Sequence, residues 1–160
     1  MADHIRLRRL LDAPPTLPAL PEGVTITPIW QTRPIELHAL LHAAYANGGG
    51  SVPDFDQWWW PLVEDEEFDP ALVIVVAAHG HPAGLVQCWT NDFIKDIVVA
   101  PAWRNHGLGA YLLNAAFAQF HQRSAPHVDL KVETSNTAAQ RFYQRHGMLP
   151  VDPAPTPAVS

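Results

Sequence analysis

The 160-residue chain holds a single cysteine, Cys88. One thiol cannot close an internal disulfide, which excludes a disulfide-stapled scaffold and makes a reducing cytoplasm the expected compartment. Basic charge is also scarce. Ten Lys and Arg stand against 16 Asp and Glu, for a formal net charge of -6. Binding to nucleic acid needs a basic field, so no nucleic-acid partner is expected; a cationic acceptor would suit the acidic surface. No apolar run approaches the roughly 18 residues of a membrane span, so no membrane role is expected. Arg6, Arg8 and Arg9 precede only Leu10-Leu11, too short for a signal-peptide core. Internal repeats are absent. What remains is 48% hydrophobic and 16% charged, enough apolar material for a folded core of one domain.

Prolines mark both ends. Pro14, Pro15, Pro18 and Pro21 stiffen the lead-in, and Pro150, Pro153, Pro155 and Pro157 oppose regular helix near the C-terminus. The expected organisation is a Pro-rich N-terminal arm over 1–22, a domain over 23–152 and a loose tail over 153–160. Alternation predicts a strand over 23–29. Helical spacing predicts a helix over 34–46, stopped by the glycines after Asn47, and a second short helix over 54–63. The β-branched run 71–78, a turn at Gly80-His81-Pro82 and the run 84–90 predict a hairpin, followed by a strand over 93–99. A helix over 107–122, a strand over 127–133 and a helix over 136–146 complete the pattern, with a brief strand within 148–152. This order implies an α/β (α+β) fold with a mixed, mostly antiparallel sheet and helices on both faces.

The chemistry concentrates between the strand ending at Val99 and the helix beginning near Gly107. A helix start leaves its first amides unpaired at the positive end of the dipole, which makes an anion site. Gly107 and Gly109 let backbone approach a phosphate closely, and Arg104 adds a cation. No Lys-Ser/Thr pair follows, so this is not an NTP-binding P-loop, and the spacing differs from a dinucleotide turn. On the glycine spacing alone, an ordinary strand-to-helix turn is the favoured reading.

The stretch from about 93 to 148 resembles the GNAT superfamily of acyl-CoA-dependent N-acyltransferases. Arg104, Gly107 and Gly109 match that family's phosphate motif, and Val99-Ala-Pro101 matches the strand end before it. A second motif is matched by Asn136, the aromatic pair Phe142-Tyr143, and Gly147-Met148. The resemblance implies a GNAT-like fold and an acetyltransferase using acetyl-CoA as acyl donor, with no metal. It implies that backbone groups of Ile97, Val98 and Val99 pair with the pantetheine arm. Arg104, Asn105, His106, Gly107, Leu108 and Gly109 would hold the pyrophosphate, and Asn136 would bond the cofactor arm. Tyr143 would protonate the departing thiolate. Asp96 is the first candidate to bind or deprotonate the acceptor amine and Glu133 the second; Lys95 departs from the acidic pair that some relatives carry there.

Each reading has a plainer counterpart. Tyr143 lies on an amphipathic stripe and Asn136 suits a helix cap. Trp58, Trp59 and Trp60 suit core packing as well as an acceptor pocket, and the acidic residues Glu64 to Asp69 suit a solvated turn. His79 and His81 flank a turn with no Cys or carboxylate partner in view, and Cys88 reads as a buried hydrophobe. The expected acceptor is a primary amine on a small molecule or a peptide N-terminus. The alternative is a non-catalytic acyl-CoA-binding sensor. Family members continue past the Gly-Met position with two more strands, whereas 148–152 offers one brief strand here. Completion of the site therefore falls to the N-terminal arm or to a second subunit in a homodimer, or the site is open.

Overall fold

A computed structural model describes residues 3–46 and 50–151. Seven strands form one sheet: β1 (His4–Leu10), β2 (Val24–Thr27), β3 (Phe68–Ala78), β4 (His81–Trp89), β5 (Phe93–Val99), β6 (His127–Glu133) and β7 (Leu149–Pro150). Four helices join them: α1 (Pro34–Ala44), α2 (Phe55–Val63), α3 (Leu108–Gln122) and α4 (Thr137–Arg145). The strand order is β2-β3-β4-β5-β6-β1-β7. All neighbours are antiparallel except β5 and β6, which are parallel. The expected α/β fold with a mixed, mostly antiparallel sheet is the one observed.

The helices cover both faces. Phe117, Phe120, Leu112 and Leu113 of α3 pack with Val76, Val86, Ile94 and Leu130 on one side. On the other, Leu37 and Leu41 of α1 and Trp58 and Leu62 of α2 pack with Val73, Val75, Leu85 and Val98. This is why β3 and β4 read as continuous apolar runs: both of their faces are buried. The β3–β4 turn lies one step earlier than expected. His79 (φ 54) and Gly80 (φ 79) make the two-residue reversal, as a type I′ hairpin requires, and His81 already pairs with Ala78.

The N-terminal residues differ most from the sequence expectation. Part of the segment expected to be an arm is strand β1, paired along its whole length with β6 and carrying β7 on its far edge. Ile5 and Leu7 face the α3 side, where Leu7 is fully buried. Arg6 and Arg8 face the other way, onto Asp129 of β6, whose carboxylate is wholly buried. Arg6 Nε donates to Oδ2 at 2.7 Å, and Arg8 Nε and Nη2 donate to Oδ1 and Oδ2 at 2.8 and 2.9 Å. Arginines placed within the expected arm are thus the partners of an internal charge. The strand that the C-terminal segment was expected to lack is supplied from the other end of the chain. The glycine loop at 47–49 and the tail at 153–160 lie outside the described residues.

Candidate active site

β5 and β6 pair only at Phe93–Asp129 and Ile94–Leu130. A bulge on the β4 side precedes the split: Gln87 pairs with Asp96 and Cys88 with Ile94, which leaves Lys95 as the extra residue. Beyond it β5 stays on β4 while β6 stays on β1. A cleft of about 1050 Å³ opens between them, walled by Lys95 to Val99 on one side and Lys131 to Glu133 on the other. Among the described residues, the edge of β5 that faces β6 therefore has no strand partner at Ile97, Val98 and Val99.

The end of that edge runs into the turn that the sequence singled out. After a 3-10 turn at Pro101–Trp103 the chain passes Asn105 (φ 65) and Gly107 (φ 80), and α3 begins at Leu108. Among the described residues no side chain caps α3, and its first ladder bond is from the Tyr111 amide to Gly107 O at 3.1 Å, so the amides before it stand free as anion donors. The two glycines serve different needs. Gly107 supplies the left-handed φ. Gly109 lies against α4, where an added Cβ would sit 3.4 Å from Phe142 Cζ. Leu108 is buried and offers only its backbone. His106 Nδ1 lies 2.8 Å from Arg104 O and its ring packs edge-on to Trp103. The Arg104 guanidinium donates from Nη2 to Ala44 O at the end of α1 (3.1 Å), which holds it at the cleft wall.

Asn136 caps α4, its Oδ1 accepting from the Ala139 amide at 3.1 Å. Asn136 also lines the cleft, and its Nδ2 takes no part in the cap. Tyr143 sits two turns along α4 and lines the same cleft. Burial, then the nearby charge of Asp96, pushes its phenol up to about 12, so it is a protonated donor at neutral pH.

Asp96 is the most heavily engaged group in the cleft. Tyr45 Oη donates to its Oδ1 at 2.6 Å and Lys95 Nζ donates to its Oδ2 at 2.8 Å. Burial first, and Asp96 next, raise the Tyr45 phenol well above its ordinary value. Glu133 stands on the opposite wall, with its backbone carbonyl bonded by the Asn136 amide and by Gln140 Nε2. Two cleft residues had no sequence signal. Tyr45 follows α1 directly. His4 sits opposite Glu133 only because β1 pairs with β6. Gln87 had none either: it is buried and pairs with Asp96 across β4 and β5, outside the cleft lining, and its Oε1 has no hydrogen-bond partner among the described residues.

The other marked residues take plainer roles. Trp58 is core, Trp59 stacks on Phe55, and Trp60 is half exposed. Cys88 is buried and burial pushes its thiol up, which leaves it unreactive. His81 pairs with Glu36 at 2.8 Å. Among the described residues no helix is long and apolar enough to cross a membrane.

Residues 35–148 match the model of the acetyltransferase (GNAT) family. The mycothiol acetyltransferase of Thermobispora bispora is 30% identical over 159 residues, covering 89% of this chain and 52% of that protein. A GCN5-related N-acetyltransferase from Sphaerobacter thermophilus superposes with a TM-score of 0.74 at 27% identity, over 92% of this chain and 48% of that one. Arabidopsis thaliana Naa50, solved with the bisubstrate analogue CoA-Ac-MVNAL, shares the fold with a TM-score of 0.59 at 18% identity, over 81% and 85%. The chain spans between about half and two thirds of the length of the curated relatives it matches.

Proposed function

The chain belongs to the acetyltransferase (GNAT) family, and on that premise we propose that it transfers an acetyl group from acetyl-CoA to a primary amine by direct attack in a ternary complex. The junction of β5 and α3 carries this reading. A strand edge freed by the splay ends at a helix whose first amides have no cap. Ile97 to Val99 would take the pantetheine arm as an added strand, and the turn from Arg104 to Gly109 would take the pyrophosphate. Asn136 would donate from Nδ2 to the arm, since Oδ1 is committed to the α4 cap.

In the transfer Tyr143 is the acid for the leaving thiolate, because its proton is retained at neutral pH. Asp96 is the first base and Glu133, on the facing wall, the second. A backbone N–H near Val98 or Val99 would stabilise the developing oxyanion. The acceptor is a small-molecule amine or a peptide N-terminus; one relative is named for mycothiol, and one solved neighbour carries a peptide-bearing CoA analogue. The expected setting is the cytoplasm.

Calorimetry with acetyl-CoA, then an amine and peptide panel with thiol detection, tests the proposal. A folded sample that binds no acetyl-CoA sinks it. One observation favours a second reading, a non-catalytic acyl-CoA sensor: both Asp96 oxygens are occupied. Binding without thiol release across the panel would select the sensor.

A further inference from the structure

We propose that the chain acetylates its own Lys95, a modification that rests on the acetyl-CoA reading above. Of the ten basic residues only two are lysines, Lys95 and Lys131; the rest are arginines. Both lysines line the cleft. Arginine stays protonated in proteins, whereas lysine can lose its proton and act as a nucleophile, so the chain's only side-chain amines of that kind stand where acyl transfer would occur.

The two are not equivalent. Lys95 is the bulged residue at the point where β5 leaves β6, and it lines the cleft. Its Nζ lies 2.8 Å from Asp96 Oδ2, and Tyr45 at 2.6 Å on Oδ1 fixes the carboxylate's orientation. An acceptor ammonium meeting its base would make the same pair. Tyr143, the acid for the sulfur, is close enough to Asp96 to sense its charge. Nucleophile, base and acid thus follow one another across a single carboxylate. Lys131, on the facing wall, makes no ion pair or hydrogen bond among the described residues.

The step balances with acetyl-CoA alone. Asp96 takes one proton from Nζ, and the freed lone pair forms the N–C bond to the thioester carbonyl carbon. The C–S bond breaks and the thiolate takes the Tyr143 proton. The surplus proton on the new amide nitrogen returns to Tyr143, and Asp96 releases its own to solvent. The products are acetyl-Lys95 and CoA thiol. The neutral amide no longer pairs with Asp96, so the modification frees Oδ2 for an acceptor ammonium.

The test incubates the full chain with acetyl-CoA, counts acetyl groups by intact mass and locates them by peptide mapping. One acetyl group on Lys95 is expected, with none on that residue's replacement in Lys95→Arg. General-base help is worth about 10²–10⁴-fold, so Asp96→Asn should slow the reaction roughly a hundredfold. Tyr143→Phe, which keeps the ring in place, should slow it as well. Unmodified Lys95 in a sample that binds acetyl-CoA by calorimetry overturns the inference and leaves the acetyl-CoA reading standing. Equal rates at Lys95 and Lys131, or an unchanged rate in heat-unfolded chain, overturn it as unassisted chemistry. A folded sample without acetyl-CoA binding overturns both.

Discussion

The two walls of the cleft are built in opposite ways. The β5 wall is local. It follows β4 through a three-residue turn, it is held by apolar packing on both faces, and its site residues lie within seventeen positions of the α3 turn (about one supersecondary unit). The β6 wall is assembled from both ends of the chain, with β1 laid against it, and its outer face is registered by one buried carboxylate between two arginines. Apolar packing tolerates many sequences and specifies a position loosely. A buried ion pair adds little net stability but strongly penalises misplacement, because a shifted strand leaves the charge unpaired. The wall made of distant segments is the one that needs such a device.

The sharpest way to break this comparison is Asp129→Ala. Removing one partner of a buried ion pair costs about 3–5 kcal/mol, and the lower end applies because both guanidiniums remain partly exposed. We expect a loss of about 3 kcal/mol in urea unfolding. Arg8 and Arg6 hydrogen bonds outweigh the upward push of burial and hold Asp129 below the usual carboxylate range. Its contribution is therefore present above the unfolded value of about 3.9 and is lost as pH falls through the lower folded value. A cost under about 1 kcal/mol would make the arginines incidental and the two walls alike.

The same division decides what was legible in the sequence. The α3 turn, α4 and the β5 strand were readable because their signals lie within a few residues of one another: glycines at 107 and 109, an N-cap at 136, an apolar run before Pro101. The β1 strand was not. Its alternation, with Ile5 and Leu7 against His4, Arg6 and Arg8, was visible, but its arginines stand beside a proline-rich segment and were placed in an arm. Only folded contacts explain them: Arg6 and Arg8 bond Asp129, 121 residues from Arg8, and Arg9 bonds His146 O and lies over Phe117. Tyr45 and Gln87 were missed for the same reason, since Tyr45 bonds Asp96 and Gln87 pairs with it across the hairpin only in the folded chain.

Two further substitutions test the cleft itself, Tyr143 on α4 after the β6 wall and Gly107 at the end of the local wall. Tyr143→Phe keeps the ring packed on the core and removes the proton donor; kcat should fall about a hundredfold with acetyl-CoA affinity nearly unchanged. Unchanged turnover would remove Tyr143 from the acid role. Gly107→Ala is milder. An added Cβ meets nothing within 4 Å, so its cost is the left-handed φ alone, about 1–2 kcal/mol. Because that strain is relieved by rotating the helix-start amides, acetyl-CoA binding should weaken in calorimetry. Unaltered binding would mean that the turn does not hold the pyrophosphate.

The smallest effect is expected at Tyr45, which ties the end of α1 to the local wall. Tyr45→Phe removes only the hydroxyl that donates to Asp96, and the net value of such a bond is about 1 kcal/mol when the rest of the site can adjust. Its pH signature separates it from a mere packing change. The folded Tyr45 phenol titrates well above the ordinary value, first through burial and then through Asp96. An unfolded chain loses that proton near pH 10, so the stability tied to the neutral phenol is full below about pH 10 and lost as pH rises towards the folded value. Urea midpoints of the native chain should therefore fall above about pH 10, and those of Tyr45→Phe should fall less. Equal slopes would mean that Tyr45 is solvated and that Asp96 stands free of α1. The local wall would then be anchored by β4, its apolar packing and the Arg104 bond to Ala44 O, and the contrast with the β6 wall, pinned from outside its own segment, would be larger still.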